Sequence, residues 1–342
     1  MDELVSVLIL NWNGGAFIAK CLDSILSQDY PNLETIVVDN GSDDGSPDMI
    51  RKNYKSVILL ETGQNLGFGA GNNIGITQTK GTCILVLNND ATLHPACISE
   101  MKKSLEKDPG FGACASKIYI ADPPDTLDAA GITVFPDGLS IGRGRLEPGS
   151  LHQKEEEVFF ASGCCALYRR EMLEDIKVGD EYYDEDFFAY ADDTDVGWRA
   201  RLRGWRCIYA PSALAWHLHS ASSGTYSSLK AYLVERNRIW LQVKNFPFPL
   251  ILYGEFFTFY RYILQTYGAF TGRGASGAFS KTYSRGMLML ILFRAWRDSL
   301  RGLPRILAKR REIQKRRSVS TKEMFRLMKL YGIGTKEISF KG

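Results

Sequence analysis

The stretch CILVLNNDATLHP, residues 83–95, decides how this chain is read. An apolar run that reads as a buried strand stops abruptly at Asn88, Asn89 and Asp90. In an open α/β sheet, ligands bind beyond the carboxyl ends of the strands, so a carboxylate and two amides at such an end point to a site. Working outward, VSVLIL (5–10), LETIVVD (33–39) and SVILLE (56–61) also read as strands. Between them AFIAKCLDSILSQ (16–28), SPDMIRKNY (46–54) and a segment over about 69–79 read as helices. The first should turn Phe17, Leu22, Ile25 and Leu26 inward, and Ser46 opens the second with Pro47 in its first turn. This alternation predicts a mostly parallel sheet with helices on both faces. Four polar clusters then fall on one edge: NWNG (11–14), DNGSDDGS (39–46), QNLGFGAGNN (64–73) and NND (88–90).

The section from about 110 to 190 is less regular, with glycine-rich strands and turns, then VFFASGCCALYRREML as a strand running into a helix. Within YDEDFFAYADDTDVGWRARLRGWR (183–206) a helix is expected over about 193–203, capped by Asp192 or Asp193 and closed at Gly204. RCIYAPSALAWHLH returns to extended structure, and from Leu229 the chain becomes helical and aromatic.

Composition narrows the class. The 342 residues, 45% hydrophobic and 24% charged, support a sizeable core and exclude a disordered or fibrous chain. Seven cysteines, with no C-x-x-C pair and no histidine at zinc-ligand spacing, read as buried thiols in a reducing compartment. LVSVLILNWN lacks a basic leader and a small-residue cleavage site, so it reads as a strand and not a signal peptide. Charge is uneven: between Arg294 and Arg317 ten Lys or Arg face Asp298 and Glu312, a local +8, leaving −5 on the remainder of a chain whose formal charge is +3. Such a block points to an anionic surface.

The chemistry lies in the polar clusters. Asn11-Trp12-Asn13-Gly14-Gly15 follows the first strand, so the dinucleotide fingerprint is missing, as is the P-loop. A nucleotide can still be held, because Asp39 can accept from a base N–H or a ribose hydroxyl. Gly67, Gly69 and Gly71 would let a helix N-terminus approach it, although an ordinary turn would use the same glycines. Asp90 is the oxygen ligand that Mg²⁺ or Mn²⁺ prefers, with substrate phosphates and water filling the other positions. Asp192, Asp193 and Asp195 crowd a helix start, where mutual repulsion raises the last proton's affinity and suits one of them to act as general base. Caps, surface charge or pairing with Arg199 or Arg203 are the plainer readings. His217 and His219 point the same way if extended, so one of the two can be a metal ligand.

Taken in order, VSVLILNWNG, CLDSILSQDYPNLETIVVDNGSDDGS, NLGFGAGNNIGI, LVLNNDA, FFASGCCALYRREML and YDEDFFAYADDTDVGWRARLRGWR resemble the family 2 glycosyltransferases of the GT-A fold over roughly residues 4–245. Within that family the chain is similar to rhamnosyltransferase-like enzymes that build cell-surface polysaccharides. The resemblance implies an α/β, GT-A nucleotide-diphospho-sugar transferase fold with a C-terminal helical region. It assigns Asn11, Asn13, Asp39, Asn65, Gly67, Asn88 and Asp90 to the donor, with Asp39 at the base or ribose. Asp90 matches the last aspartate of a D-x-D motif whose first position here is Asn88, and His217 fits the histidine that completes the metal site. Asp193 matches the catalytic base, beside Asp192 where Glu is usual; Trp198 either walls the acceptor site or belongs to the core.

The implied reaction is inverting, metal-dependent transfer of a sugar, with rhamnose favoured, from a dTDP- or UDP-linked donor to a hydroxyl of a cell-surface polysaccharide or lipid-linked saccharide. The alternatives are a UDP-hexose or UDP-galactofuranose transferase of the same fold, a sugar-phosphate nucleotidyltransferase, or a non-catalytic sugar-binding scaffold. A catalytic domain over 1–235, with a nucleotide-sugar half to about 110 and an acceptor half after it, would precede a helical region over 236–342. In that region FPFPLILYGEFFTFYRYIL (246–264) is interrupted for membrane spanning by Pro247, Pro249, Glu255 and Arg261, and MLMLILF (287–293) is too short. Trp296, Leu300, Leu303 and Leu307 share one helical face and Arg297, Arg301, Arg305 and Lys309 another, although Gly302 and Pro304 argue against an unbroken helix. This pattern favours a peripheral element on the cytoplasmic face of the membrane over a packed helical domain or homo-oligomer contact, with nucleic acid set aside.

Overall fold

The computed structural model describes residues 2–123, 125–218, 227–273, 277 and 283–340. The N-terminal alternation is β1 (Val5–Asn11), α1 (Ile18–Leu26), β2 (Leu33–Asp39), α2 (Ser46–Asn53), β3 (Ile58–Glu61), α3 (Phe68–Gln78) and β4 (Cys83–Asn88). There follow β5 (Ala91–Leu93), α4 (Cys97–Leu105), β6 (Phe111–Ile120), β7 (Leu127–Ala130), β8 (Ile132–Val134), β9 (Ser140–Gly142) and β10 (Glu156–Val158). β11 (Cys165–Arg169), α5 (Arg170–Ile176), α6 (Asp192–Arg203) and β12 (Arg206–His217) complete the α/β part. The C-terminal helices are α7 (Ser228–Asn245), α8 (Phe248–Thr271), α9 (Arg285–Arg316), α10 (Thr321–Leu330) and α11 (Thr335–Phe340).

The central sheet runs β10-β12-β6-β11-β4-β1-β2-β3, with β5 paired to β12 and β7 to β6. The block β4-β1-β2-β3 is parallel, as is β6 with β12, while β11 lies antiparallel between β4 and β6. Val5, Val7, Leu8 and Ile9 of β1 are all buried, as a strand covered on both faces requires. In α1 the residues Ile18, Cys21, Leu22 and Ile25 pack inward, but Leu26 is exposed, against expectation. Eight residues after Ile18 the helix has turned past its buried stripe, leaving Leu26 on the edge. α6 begins at Asp192, so Asp192 and Asp193 lie in its first turn rather than before it.

The chain divides into two compact units. One contains residues up to 222 except 133–141 and 201–203; the other contains those two segments and the chain from 223 onward. In the second unit α7 packs along α9, where Trp240 donates from Nε1 to the Ser299 carbonyl at 3.0 Å. α9 runs unbroken through Gly302 and Pro304, contrary to the sequence pattern. Gly302 is required by close approach, because a Cβ there would stand 2.4 Å from the Trp240 ring. Pro304 sits on the outer side of the helix, where Leu300 four residues earlier is also exposed.

α8 buries a charged residue among apolar ones and exposes many aromatic and aliphatic side chains. Arg261 is buried, with Nε 2.6 Å from Asp137 Oδ2 and Nη2 3.2 Å from Glu235 Oε2. Glu235 Oε1 in turn accepts from Arg238 Nη2 at 2.6 Å. The outer face carries Phe248, Leu252, Phe256, Phe259, Ile263 and Phe270, all exposed, with Phe256 at 69% and Phe259 at 67%. Among the described residues, no helix is long and apolar enough to cross a membrane.

Candidate active site

The polar strand ends meet through a chain of hydrogen bonds. At the end of β1, Asn11 is fully buried and donates from Nδ2 to Asp39 Oδ1 at 2.9 Å and to Ser46 Oγ at 2.9 Å. Its Oδ1 accepts from Asn89 Nδ2 at 3.0 Å, tying the first cluster to the loop after β4. Asn13, at φ 49°, donates its N–H to Ser42 Oγ at 2.9 Å and accepts from the Asp43 N–H at 3.0 Å. Asp39 accepts from Ser42 Oγ at 2.6 Å and from the Ser42 N–H at 3.0 Å. A carboxylate has about four acceptor sites, so Asp39 retains capacity for one further donor. The amide of Asn11 is committed to protein partners, Asp39 among them.

Asn40, next in the chain, extends the network to the third cluster. Its Nδ2 donates to Asn65 Oδ1 at 3.1 Å and to the Gly67 carbonyl at 3.2 Å, and the Gly67 N–H closes the turn onto Asn65 Oδ1 at 2.9 Å. Gly67 has φ 87° and ψ 175°, a region open to glycine alone, and a Cβ there would stand 2.5 Å from the Phe188 carbonyl oxygen. That carbonyl accepts from the Phe68 N–H at 2.5 Å. The glycine loop therefore bears directly on the segment leading into α6. In that segment Phe188, Tyr190 and Ala191 all have positive φ, between 65° and 69°. Backbone strain is concentrated immediately before Asp192 and Asp193.

Asp193 is half-buried. Its Oδ2 accepts from the Gly163 N–H at 2.9 Å and its Oδ1 from the Thr194 N–H at 2.7 Å. The next residue, Cys164, accepts the Asn88 N–H on its carbonyl at 2.9 Å. The turn at 163–164 thus joins the Asp193 carboxylate to the strand end that carries Asp90. Burial raises the Asp193 pKa against the opposing pull of the Gly163 and Thr194 N–H groups. Asp192 is more deeply buried, and its Oδ1 has no hydrogen-bond partner. Burial first and the Asp193 charge second push its pKa well above the carboxylate range. Both carboxyls therefore hold a proton more readily than a free carboxylate does, Asp192 the more strongly. Asp195 is a structural partner, 2.9 Å from Arg199 Nε, and Arg199 also donates to the carbonyls of Ile176 and Tyr182. Trp198 is core, packed on Phe159 with ring centroids 4.8 Å apart.

Asp90 faces His217 at the end of β12, with Oδ1 3.2 Å from Nε2. Asn88 Nδ2 lies 3.4 Å from the same nitrogen. On the other side of the ring, His217 Nδ1 is 2.7 Å from Asp128 Oδ2. Burial opposes charge on His217, but Cys164 beside it and the hydrogen bonds with Asp128 and Asp90 hold its pKa well above the usual histidine value. His219 lies outside the described residues. Among the described residues no group of three or more His, Cys, Asp or Glu side chains is arranged to hold a metal. The pair Asp90 and His217 nevertheless offers one carboxylate oxygen and one ring nitrogen side by side, which fits a divalent ion whose remaining positions are filled by phosphates and water. Asn40, Asp128 and Gly163 were not singled out in the sequence. Asn40 lay inside a recognised cluster, whereas Asp128 and Gly163 carried no motif or spacing signal.

The model of the family described as glycosyl transferase family 2 matches residues 6–177, half of the chain. The chain belongs to glycosyl transferase family 2. Its curated relatives include the N-acetylglucosaminyl-diphospho-decaprenol L-rhamnosyltransferase of Mycobacterium tuberculosis, 26% identical over 273 residues that cover 70% of this chain and 87% of the relative. Another is the poly-beta-1,6-N-acetyl-D-glucosamine synthase of Staphylococcus aureus, 24% identical over 223 residues, 64% of this chain and 51% of the synthase. Among solved structures, the mannosyltransferase PcManGT of Pyrobaculum calidifontis, in complex with GDP-Man and Mn²⁺, aligns with a TM-score of 0.56 at 19% identity, covering 88% of each chain. S. aureus TarS 1–349 in complex with UDP-GlcNAc aligns with a TM-score of 0.53 at 17% identity, covering 96% of this chain and 91% of that one. At these identities the structural matches establish the fold, a GT-A-like α/β architecture with a C-terminal helical region. The family 2 match ends before α6, so Asp192, Asp193 and His217 rest on geometry rather than on that match.

Proposed function

We propose that this family 2 protein is an inverting glycosyltransferase that moves a sugar, with rhamnose favoured, from a nucleotide diphosphate to a hydroxyl of a cell-surface polysaccharide or lipid-linked saccharide. The observation that carries this reading is the hydrogen-bonded circuit from Asp39 through Asn11 and Asn89 to the β4 end, and from there through Cys164 and Gly163 to Asp193. A circuit that links these strand ends supports a reading in which donor-binding, phosphate-facing and proton-accepting groups share one rim.

Asp39 receives a base or ribose donor, and the loop at Asn65 and Gly67 borders the nucleotide. Asp90 and His217 would hold Mg²⁺ or Mn²⁺, which when bound offsets the charge of the diphosphate. Asp193 accepts the proton of the acceptor hydroxyl as its oxygen forms a bond to the sugar C1. The bond from C1 to the diphosphate oxygen breaks, the nucleoside diphosphate leaves, and one displacement inverts the anomeric centre. The mycobacterial relative, an N-acetylglucosaminyl-diphospho-decaprenol L-rhamnosyltransferase, supports rhamnose and a lipid-linked acceptor.

Attachment to the cytoplasmic face of the membrane belongs to the same proposal. It is supported by the apolar outer face of α8, and by the exposed Met289, Phe293, Trp296 and Leu300 of α9 beside exposed Arg297 and Arg301. An apolar face flanked by basic side chains suits an anionic lipid surface.

The test is to incubate the purified protein and Mn²⁺ with dTDP-rhamnose, UDP-GlcNAc, UDP-galactofuranose and GDP-mannose, following nucleoside diphosphate release and transfer to a lipid-linked saccharide. Release and transfer from dTDP-rhamnose with inverted product are expected. Turnover of another donor alone would overturn the rhamnose assignment, and nucleotidyl transfer to a sugar phosphate would overturn the reaction class.

A further inference from the structure

We propose that Asp128 is a positioning residue that fixes the tautomer and tilt of His217, so that Nε2 is presented beside Asp90. The inference rests on the reading of Asp90 and His217 as a metal pair. Its first support is the hydrogen bond itself. A carboxylate accepts and cannot donate, so at 2.7 Å from Asp128 Oδ2 the proton belongs on His217 Nδ1. A charged ring donates from both nitrogens, from Nδ1 to Asp128 and from Nε2 toward Asp90 Oδ1 at 3.2 Å, and loss of the Nε2 proton leaves the lone pair on the nitrogen beside Asp90.

The second support is the backbone. β7 pairs antiparallel with β6, matching Ile118 with Ala129 and Tyr119 with Leu127, so Asp128 is the extra residue of a β-bulge. β12 runs on the other side of β6, with His217 opposite Ile120. A bulge re-aims a side chain out of the ordinary alternation, which lets Asp128 reach a histidine two strands away. The carboxylate is itself held: Asp128 Oδ1 pairs with Arg145 Nη1, and Asp128 is 6% exposed. A buried carboxylate set by a bulge, braced by an arginine and directed at the rear nitrogen of a ligand histidine orients that ligand.

The experiment uses the full chain and Mn²⁺ as probe, with wild type, Asp128→Asn, Asp128→Ala and Asp128→Glu. Mn²⁺ affinity is read by electron paramagnetic resonance titration in the presence of a nucleoside diphosphate. The His217 tautomer is read without metal from ¹⁵N chemical shifts, at a pH high enough that the ring is neutral. Wild type should show Nδ1–H. Asp128→Ala should mix the tautomers and weaken Mn²⁺ binding roughly 10–100-fold, with turnover largely recovered at saturating Mn²⁺. Asp128→Asn, which keeps the shape and one acceptor oxygen, should fall between, and Asp128→Glu should restore part of the affinity. An unchanged tautomer and unchanged Mn²⁺ affinity in folded Asp128→Ala and Asp128→Asn would overturn the positioning role. Wild-type protein that binds no Mn²⁺ but still transfers sugar would overturn the metal pair on which the inference rests, leaving the reaction class standing.

Discussion

Glu235 carries a stability prediction that can be worked through from its partners. It is fully buried between Arg238 and Arg261 and hydrogen-bonded by Tyr262. Burial alone would raise its pKa, but the two guanidinium charges overcome that and bring it from 4.5 down to about 2. A depressed carboxylate contributes stability that is fully present above its unfolded value and is lost as pH falls through the folded value. The window is therefore about pH 4.5 down to about 2, and at ~1.4 kcal/mol per pH unit the contribution is roughly 3 kcal/mol. Glu235→Gln should cost about 3–5 kcal/mol near pH 7, because it leaves buried guanidinium charge short of a partner. The gap to wild type should shrink steadily below pH 4.5. Urea unfolding read by deuterium labelling of α7 and α8 peptides at several pH values measures it in the correct unit. A difference under about 1 kcal/mol, or one that stays constant with pH, would refute this reading of the network.

Other outcomes follow from the site and its surroundings. Gly67→Ala forces a side chain into a glycine-only conformation and against the Phe188 carbonyl, so it should cost about 1–3 kcal/mol from backbone strain alone and lower both donor affinity and turnover. Isothermal titration with a nucleoside diphosphate, beside a rate assay, checks this. Asp90→Asn should remove the Mn²⁺ dependence of turnover while leaving metal-free nucleotide binding nearly intact, as measured by the same titration. Phe256→Ser combined with Phe259→Ser should reduce flotation with vesicles of anionic lipid, and high salt should weaken wild-type flotation. Equal flotation of wild type and variant would remove the outer face of α8 from the account.

Much of the α/β architecture was legible because strands covered on both faces are mainly apolar, and β1, β2 and β4 are so apart from Ser6, Glu34, Thr35 and their polar ends. The same rule located the polar strand ends, since Asn11, Asp39 and Asp90 stand where each apolar run stops. What stayed hidden depends on pairing between distant residues. Asp128 reaches His217 only because a bulge on β7 re-aims it across β6, and nothing within LDAAG reveals that register. Arg261 interrupts an apolar run in the sequence, yet in the fold it turns inward to Asp137 and Glu235 and leaves the outer face aromatic. Pro304 would end a helix judged by local propensity, but packing of α7 against α9 outweighs one missing hydrogen bond. The cluster Asp192, Asp193 and Asp195 looked uniform in the sequence, and only burial and Arg199 separate a deeply buried carboxyl with an unpartnered oxygen, a half-buried one held by the Gly163 and Thr194 N–H groups, and a structural ion pair.

The central claim is that Asp193 takes the proton from the acceptor while other residues hold the donor. Asp193→Asn keeps the shape of the side chain and the accepting oxygen, so donor affinity should stay near wild type by titration. Turnover measured with saturating donor and acceptor should fall by about 10²–10⁴-fold. A variant that transfers sugar at close to the wild-type rate would contradict the account.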